Sequence, residues 1–308
     1  MIFDGHGDIL THIQQELSLG IDIFKEYHLP KYLSADVMGS IFVNYTDPQN
    51  PAQKQQFEKI THLAIPYLTN SGYVNIVKEA NDFKLGKLNI ILGIEGAKPL
   101  RTIKDISHCY DLGYRHIGLT WNERNQFGCG ASEIGGLTDL GEAAIKWCNE
   151  HGMIIDFAHL NYQSFIEASL ITNKPILFSH GNAFALCPHP RNLDDDQLLL
   201  IKESNGVVGI AAIKPFLVKS GSATIDDMVT HILYIKNKIG INHVGLGLDF
   251  CHYLDNLEKN DVQGMEHLSS AVNLRERLSL AGLATEEIDA VMFKNMLRVV
   301  KSHLHGGE

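Results

Sequence analysis

His6 and Asp8 stand two residues apart at the end of the opening run Met1-Ile-Phe-Asp-Gly-His-Gly-Asp8. In a β-strand, side chains two apart leave the same face. An imidazole and a carboxylate would then emerge side by side, a pair suited to a divalent metal such as zinc. Gly5 and Gly7 put no side chain on the opposite face and let other groups come close. A lone His-x-Asp is more often a surface turn, so its weight depends on what the rest of the chain brings beside it.

Other apolar runs end in the same manner. One closes on Ile94-Glu95-Gly96, one on Asp156-Phe-Ala-His159, one on Ser179-His180 and one on Asp249-Phe250. A buried carboxylate without a partner is costly or shifts its pKa, so apolar strands that end in charge need a reason. Three histidines, Asp8 and Glu95 gathered on one rim have the makeup of a two-metal site.

Eight short runs rich in Ile, Val, Leu or Phe could do the gathering: Ile2–Asp8, Val37–Tyr45, Leu88–Gly96, His116–Asn122, Met153–His159, Ile176–Asn182, Gly206–Ile213 and Val244–Phe250. Helical patterns lie between them, among them Leu140–Glu150, Gln163–Leu170, Asp194–Glu203 and Asp226–Lys238. Eight buried strands alternating with helices predict a (β/α)8 TIM barrel, whose strand C-termini meet at one mouth. Thr138 and Thr285 are the expected helix caps, and Gly113, Gly152, Gly206 and Gly240 the expected helix stops. The expected organisation is one catalytic barrel domain over 1–308. It carries a helical insertion around 47–86, where Pro48, Pro51 and Pro66 fall, and closing helices over 262–305.

The bulk composition agrees with an enzyme of this kind. At 308 residues, 44% hydrophobic and 20% charged, the chain is an ordinary globular protein with a large core. Its net charge of −10 argues against nucleic acid or an anionic membrane as partner. Cys109, Cys129, Cys148, Cys187 and Cys251 are scattered singly, which suggests reduced thiols and neither a zinc ribbon nor a disulfide framework. No basic-then-apolar leader is visible, and no run approaches the ~18 apolar residues of a membrane span. A cytoplasmic protein is expected.

DGHGD, GIEGA, Gly118-Leu-Thr120, GGLT–G at Gly135–Gly141, GMIIDFAHL, PILFSHGNA, HPRNL, VGLGLDF and NMLRV resemble, in order, the motif series of the membrane (renal) dipeptidases. These are metallopeptidases with an amidohydrolase-like barrel. The resemblance implies two zinc ions, one held by His6 and Asp8 and one by His159 and His180, with Glu95 bridging them. It implies that Arg191 clamps the substrate's free carboxylate and that Asp249 sits beside the bridging water as base and then acid. It also implies a small peptide substrate, with a D-residue at its C-terminal position as one option, and other divalent metals as alternatives to zinc. Members are often dimeric, and the sequence carries no interface signature of its own.

The chain departs from the pattern at Trp121, where animal members have a histidine after the fourth-strand Leu-Thr. Indole offers one donor and no acceptor, so Asn122 or Asn125 is the candidate replacement in substrate binding. Blander readings stand beside these: Glu95 paired with Lys98 or Arg101, Arg191 in a salt-bridged helix start with Asp194–Asp196, and Asp249 capping a turn. The alternative activity is a metal-dependent amidohydrolase acting on N-acyl amino acids, cyclic amides or lactones. The remaining histidines, His116 among them, are assigned no role.

Overall fold

The apolar runs pair as parallel strands because each is buried along its length and each is followed by a crossover that returns the chain to the same end of the sheet. The computed structural model describes residues 1–254 and 262–306. Its strands are β1 (Ile2–Gly7), β2 (Val37–Tyr45), β3 (Leu88–Glu95), β4 (Tyr114–Gly118), β5 (Ile154–Asp156), β6 (Leu177–Gly181), β7 (Val207–Ile210) and β8 (Val244–Leu246). Neighbours in sequence are neighbours in space, and the ring closes where Asp4 of β1 faces Leu246 of β8. The fold is the expected (β/α)8 barrel. A short extra strand, Val74–Ile76, runs along the start of β3, below the point where β4 begins to pair.

The crossover helices include Gln53–Ser71, which contains Pro66, and Ile103–Asp111, Asp139–His151, Tyr162–Ile171, Asp195–Glu203 and Ile225–Ile239. Their starts follow capping chemistry. Thr138 accepts from Gly141 N at 3.1 Å, Asn161 from Ser164 N at 2.8 Å and Asp194 from Gln197 N at 2.9 Å. Asp194–Asp196 is thus a helix start. Two expected punctuation marks shift by one residue. Ala284, not Thr285, precedes the helix Thr285–Asp289. Asn205, at φ 58°, takes the left-handed turn expected of Gly206. Gly206 is needed for closeness instead, since a Cβ there would collide with the carbonyl oxygen of Ile176. The chain ends in the helices Asn273–Leu280, Thr285–Asp289 and Asn295–His303, the last two joined by a π-helical turn over Ala290–Lys294.

Four strands stop well before the apolar runs end. β4, β5, β7 and β8 end at Gly118, Asp156, Ile210 and Leu246, while the chain stays buried well beyond them. Hydrophobicity reports burial, and the rim loops here are buried as deeply as the strands. β6 ends only one residue early, but its pairing with β7 is irregular between Phe178 and Gly181. At that irregularity the Ser179 carbonyl is packed against three other strands. A Cβ at Gly209 or Gly247 would collide with it, and one at Gly5 would lie 2.8 Å away.

Among the described residues no helix is long and apolar enough to cross a membrane. Because its Cβ would collide with the Ser179 carbonyl, Gly247→Ala should act as an overpacking mutation. We expect a loss of about 3 kcal/mol, read as a melting temperature lowered by roughly 6 °C. A variant that melts with the wild type would mean that the Ser179 carbonyl does not fill that space.

Candidate active site

The barrel brings the strand-end polar residues together. From β1 come His6 and, one residue past the strand, Asp8; β3 ends in Glu95. The segment after β5 carries His159, β6 carries His180, and Asp249 follows β8. His6 Nε2 lies 3.5 Å from Glu95 Oε1, 3.8 Å from Asp8 Oδ2 and 3.9 Å from Asp249 Oδ1. Glu95 Oε1 is 2.8 Å from His159 Nε2 and 3.8 Å from His180 Nε2, and those two ring nitrogens are 3.0 Å apart. All are buried except Asp249, which is partly open to the mouth.

These groups fit a metal centre for three reasons found in the geometry itself. First, both ring nitrogens of His6 and Oδ1 of Asp8 are buried without a hydrogen-bond partner, a state that native proteins rarely tolerate. Second, Asp8 occupies the N-cap position of the helix Ile9–Leu17 yet makes no capping bond, although aspartate is among the best capping residues. Third, His159 Nδ1 lies 3.0 Å from the amide oxygen of Asn122, which can only accept. Nδ1 therefore carries a proton, and in the neutral ring Nε2 turns a lone pair towards the Glu95 carboxylate. Two acceptors at 2.8 Å suit a site that holds a cation.

The electrostatics agree that the cluster attracts positive charge. Burial alone would depress His6, but Glu95, Asp8 and Asp249 raise it to about 10. Burial and the Glu95 carboxylate push Asp8 well above the usual carboxylate range. Burial would raise Glu95 too, yet His6 and His159 hold it well below. Burial, then Arg191, depresses His159 to about 4. Burial raises Asp249 to about 6. Strain gathers here as well. His159 (φ 67°) and Asp249 (φ 56°) are two of the four described non-glycine residues in the left-handed region, where such residues sit at a cost of about 1–3 kcal/mol.

Arg191 is not part of a salt-bridged helix start. Its side chain is buried, and Nη2 stands 2.6 Å from His180 Nε2. Lys98 donates to the carbonyl of Pro48 rather than pairing with Glu95. Trp121 packs 5.8 Å from the His159 ring and 5.6 Å from that of Tyr45, forming an aromatic wall at the mouth. Asn122 reaches the centre, but as the residue that orients His159. Asn125 is engaged in its own loop, donating to Leu119 O and accepting from Phe127 N. Sequence reasoning missed Asp4, whose Oδ1 accepts the main-chain N–H of His6 at 3.3 Å and of Leu248 at 2.8 Å. It thereby ties the strand that carries His6 to the residue before Asp249. The available signal was spacing, since Asp4, His6 and Asp8 share one strand face.

The family model described as membrane dipeptidase, peptidase family M19, matches residues 1–305. Over 226 residues, 70% of this chain and 53% of the relative, the sequence is 38% identical to an uncharacterised dipeptidase of Schizosaccharomyces pombe. It is 31% identical to the dipeptidase tcpJ of Claviceps purpurea over 71% of this chain and 52% of that protein. The chain thus spans about half the length of these curated relatives. Among solved structures, the dipeptidase AC, a family M19 metallopeptidase, superposes with a TM-score of 0.87 at 21% identity over 98% of both chains. A Rhodobacter sphaeroides metallopeptidase liganded with a phosphinate mimic of L-Ala-D-Ala gives 0.87 at 22% identity, over 98% of this chain and 99% of that one.

Asp4 also supplies a pH test. Burial raises it from 3.8 to about 7, against the pull of the Leu248 and His6 N–H groups. A carboxyl raised on folding favours the fold below 3.8 and loses that contribution as pH rises through 7. Asp4→Asn keeps an acceptor oxygen and does not titrate. In chelator-treated protein it should match the wild type near pH 4 and exceed it by roughly 4 kcal/mol at pH 8 in urea unfolding, at about 1.4 kcal/mol per pKa unit. Parallel curves across that range would contradict the assignment.

Proposed function

The chain belongs to the membrane dipeptidase family, peptidase family M19, and from that premise we propose that it is a zinc-dependent dipeptidase. The observation that carries this reading is the buried convergence of His6, Asp8, Glu95, His159 and His180, with Asp249 and Arg191 at its edge. His6 and Asp8 would hold one ion, His159 and His180 the other. Glu95 would hold both, as its contacts to His6 Nε2 and His159 Nε2 support. Zinc bound in pairs supplies Lewis acidity and makes water acidic enough to lose a proton near neutral pH.

The chain's own groups supply the rest. Asp249 takes the proton of the attacking water and returns it to the leaving amine. Arg191 offers a planar fork for the free C-terminal carboxylate of the substrate, a bidentate grip that lysine cannot match. A carboxylate fixed that close to the ligands leaves room for one scissile bond, which restricts the substrate to dipeptides. The ligand of the Rhodobacter sphaeroides neighbour mimics L-Ala-D-Ala, and the same class, with a D-residue in the C-terminal position, is proposed here. Trp121, where animal members present a histidine, forms an aromatic wall with Tyr45, so carbonyl contact falls to other groups and a hydrophobic side chain is favoured at that wall.

A zinc determination paired with a hydrolysis screen over L,L and L,D dipeptides, N-acyl amino acids and lactones tests the reading. We expect two zinc ions per chain and turnover of dipeptides; turnover confined to N-acyl amino acids or lactones would refute it. Glu95→Gln should fold and show no turnover, and wild-type kcat in that variant would exclude the bridging role. Arg191→Ala should raise KM for free dipeptides roughly 10–100-fold, the worth of a charged hydrogen bond. If the wild type cleaves C-terminal amides and free dipeptides equally well, the carboxylate clamp is wrong.

A further inference from the structure

Behind His180 runs a line of buried polar groups with no place in the reading above. Ser179 Oγ lies 2.8 Å from His180 Nδ1 and donates to Asp156 Oδ2. His116 Nε2 lies 3.2 Å from the same carboxylate oxygen. The main-chain N–H groups of Ala158 and Ser179 each reach Asp156 Oδ1 at 3.0 Å. All four side chains are fully or almost fully buried.

Counting donors gives the line a direction. An ionised carboxylate accepts about four hydrogen bonds and donates none. Asp156 is offered four: two from backbone N–H groups, one from the Ser179 hydroxyl and one from His116. His116, Ser179 and Ala158 accordingly keep it ionised at about 2, against the burial that would raise it. Because the Ser179 proton is committed to Asp156, its oxygen can only accept from His180. The proton of that imidazole then sits on Nδ1, and Nε2 is left as an acceptor, which the Arg191 guanidinium meets at 2.6 Å beside Glu95 and His159.

We propose that Ser179, anchored by Asp156 and His116, is a positioning residue that fixes the tautomer of His180 and thereby sets the affinity of one of the two metal positions. The inference rests on the metal-centre reading for its consequence, but its geometry is independent of any ion. It also accounts for the irregular pairing of β6. The displaced segment puts the Ser179 hydroxyl between Asp156 and His180, and the glycines at 5, 209 and 247 make room for the carbonyl that moves with it.

Two measurements test this. In metal-free wild-type protein, ¹⁵N spectra of the histidine rings should show His180 protonated on Nδ1 alone; a proton on Nε2 overturns the proposal and requires no variant. Ser179→Ala retains the main-chain bond to Asp156 and loses only the hydroxyl. In a zinc competition titration against a chromophoric chelator, it should release one of its two ions at 10–100-fold lower chelator concentration, the usual effect of losing an orienting partner. The other ion should leave as in the wild type. Asp156→Asn can present an amide N–H to Ser179, which reverses the line and should move the His180 proton to Nε2. Ser179→Ala holding both ions at wild-type affinity refutes the proposal. A wild type that binds no zinc refutes the metal-centre reading instead, and the ring spectra still decide the relay.

Discussion

Lone pairs in the interior need something positive to face. At the mouth of this barrel the carboxylates of Asp8 and Glu95 and the bare Nε2 of His159 converge within a few ångströms, around a His6 ring whose nitrogens make no hydrogen bond. In a low-dielectric interior such a group is tenable only with a cation among its members. The rest of the site follows from that demand: Asn122 turns His159, Asp8 forgoes the helix it could cap, and His159 and Asp249 hold backbone angles that most residues avoid.

The barrel meets the demand by geometry. Parallel strands deliver their C-terminal ends to one mouth, so the polar side chains of β1, β3 and β6 and of the segments after β5 and β8 need no long loops to find one another. Precision is added from beneath. Asp4 joins the His6 strand to the approach of Asp249. Asp156 joins the approach of His159, through Ala158, to Ser179 beside His180. Each of these carboxylates spans two segments that reach the mouth, which makes the spacing between the segments hard to alter without losing a buried hydrogen bond.

Much of this was legible in the sequence because apolar runs that end in charge are unusual. His6, Asp8, Glu95, His159, His180 and Asp249 all stand out on that ground, and the eight runs themselves imply the barrel. What stayed hidden has a physical cause. Strand ends differ from the apolar runs because hydrophobicity marks burial, and the residues just past β5 and β8, up to Leu160 and Leu248, are as buried as strands. Asn122 was read as a substrate donor because no sequence pattern tells an amide that faces a ligand from one that turns an imidazole. His116 was passed over because its partner, Asp156, is 40 residues away. The Asn205 turn and the Ala284 helix start were each off by one residue, where neighbouring side chains can serve the same backbone purpose.

The closure between β1 and β8 sets a schedule for synthesis. Asp4 and Leu248 meet across 244 positions of chain. At about 5–20 residues per second on the ribosome, the opening strand waits on the order of 10–50 s for its last neighbour. During that interval His6 and Asp8 are present on an unclosed sheet edge, and an ion captured there would be held by only part of its final set. The finished centre and the finished barrel therefore arrive in the same step, at the end of a long loop closure. For this fold, assembling the polar mouth and handling an apolar strand left open on one side are a single problem for the cell.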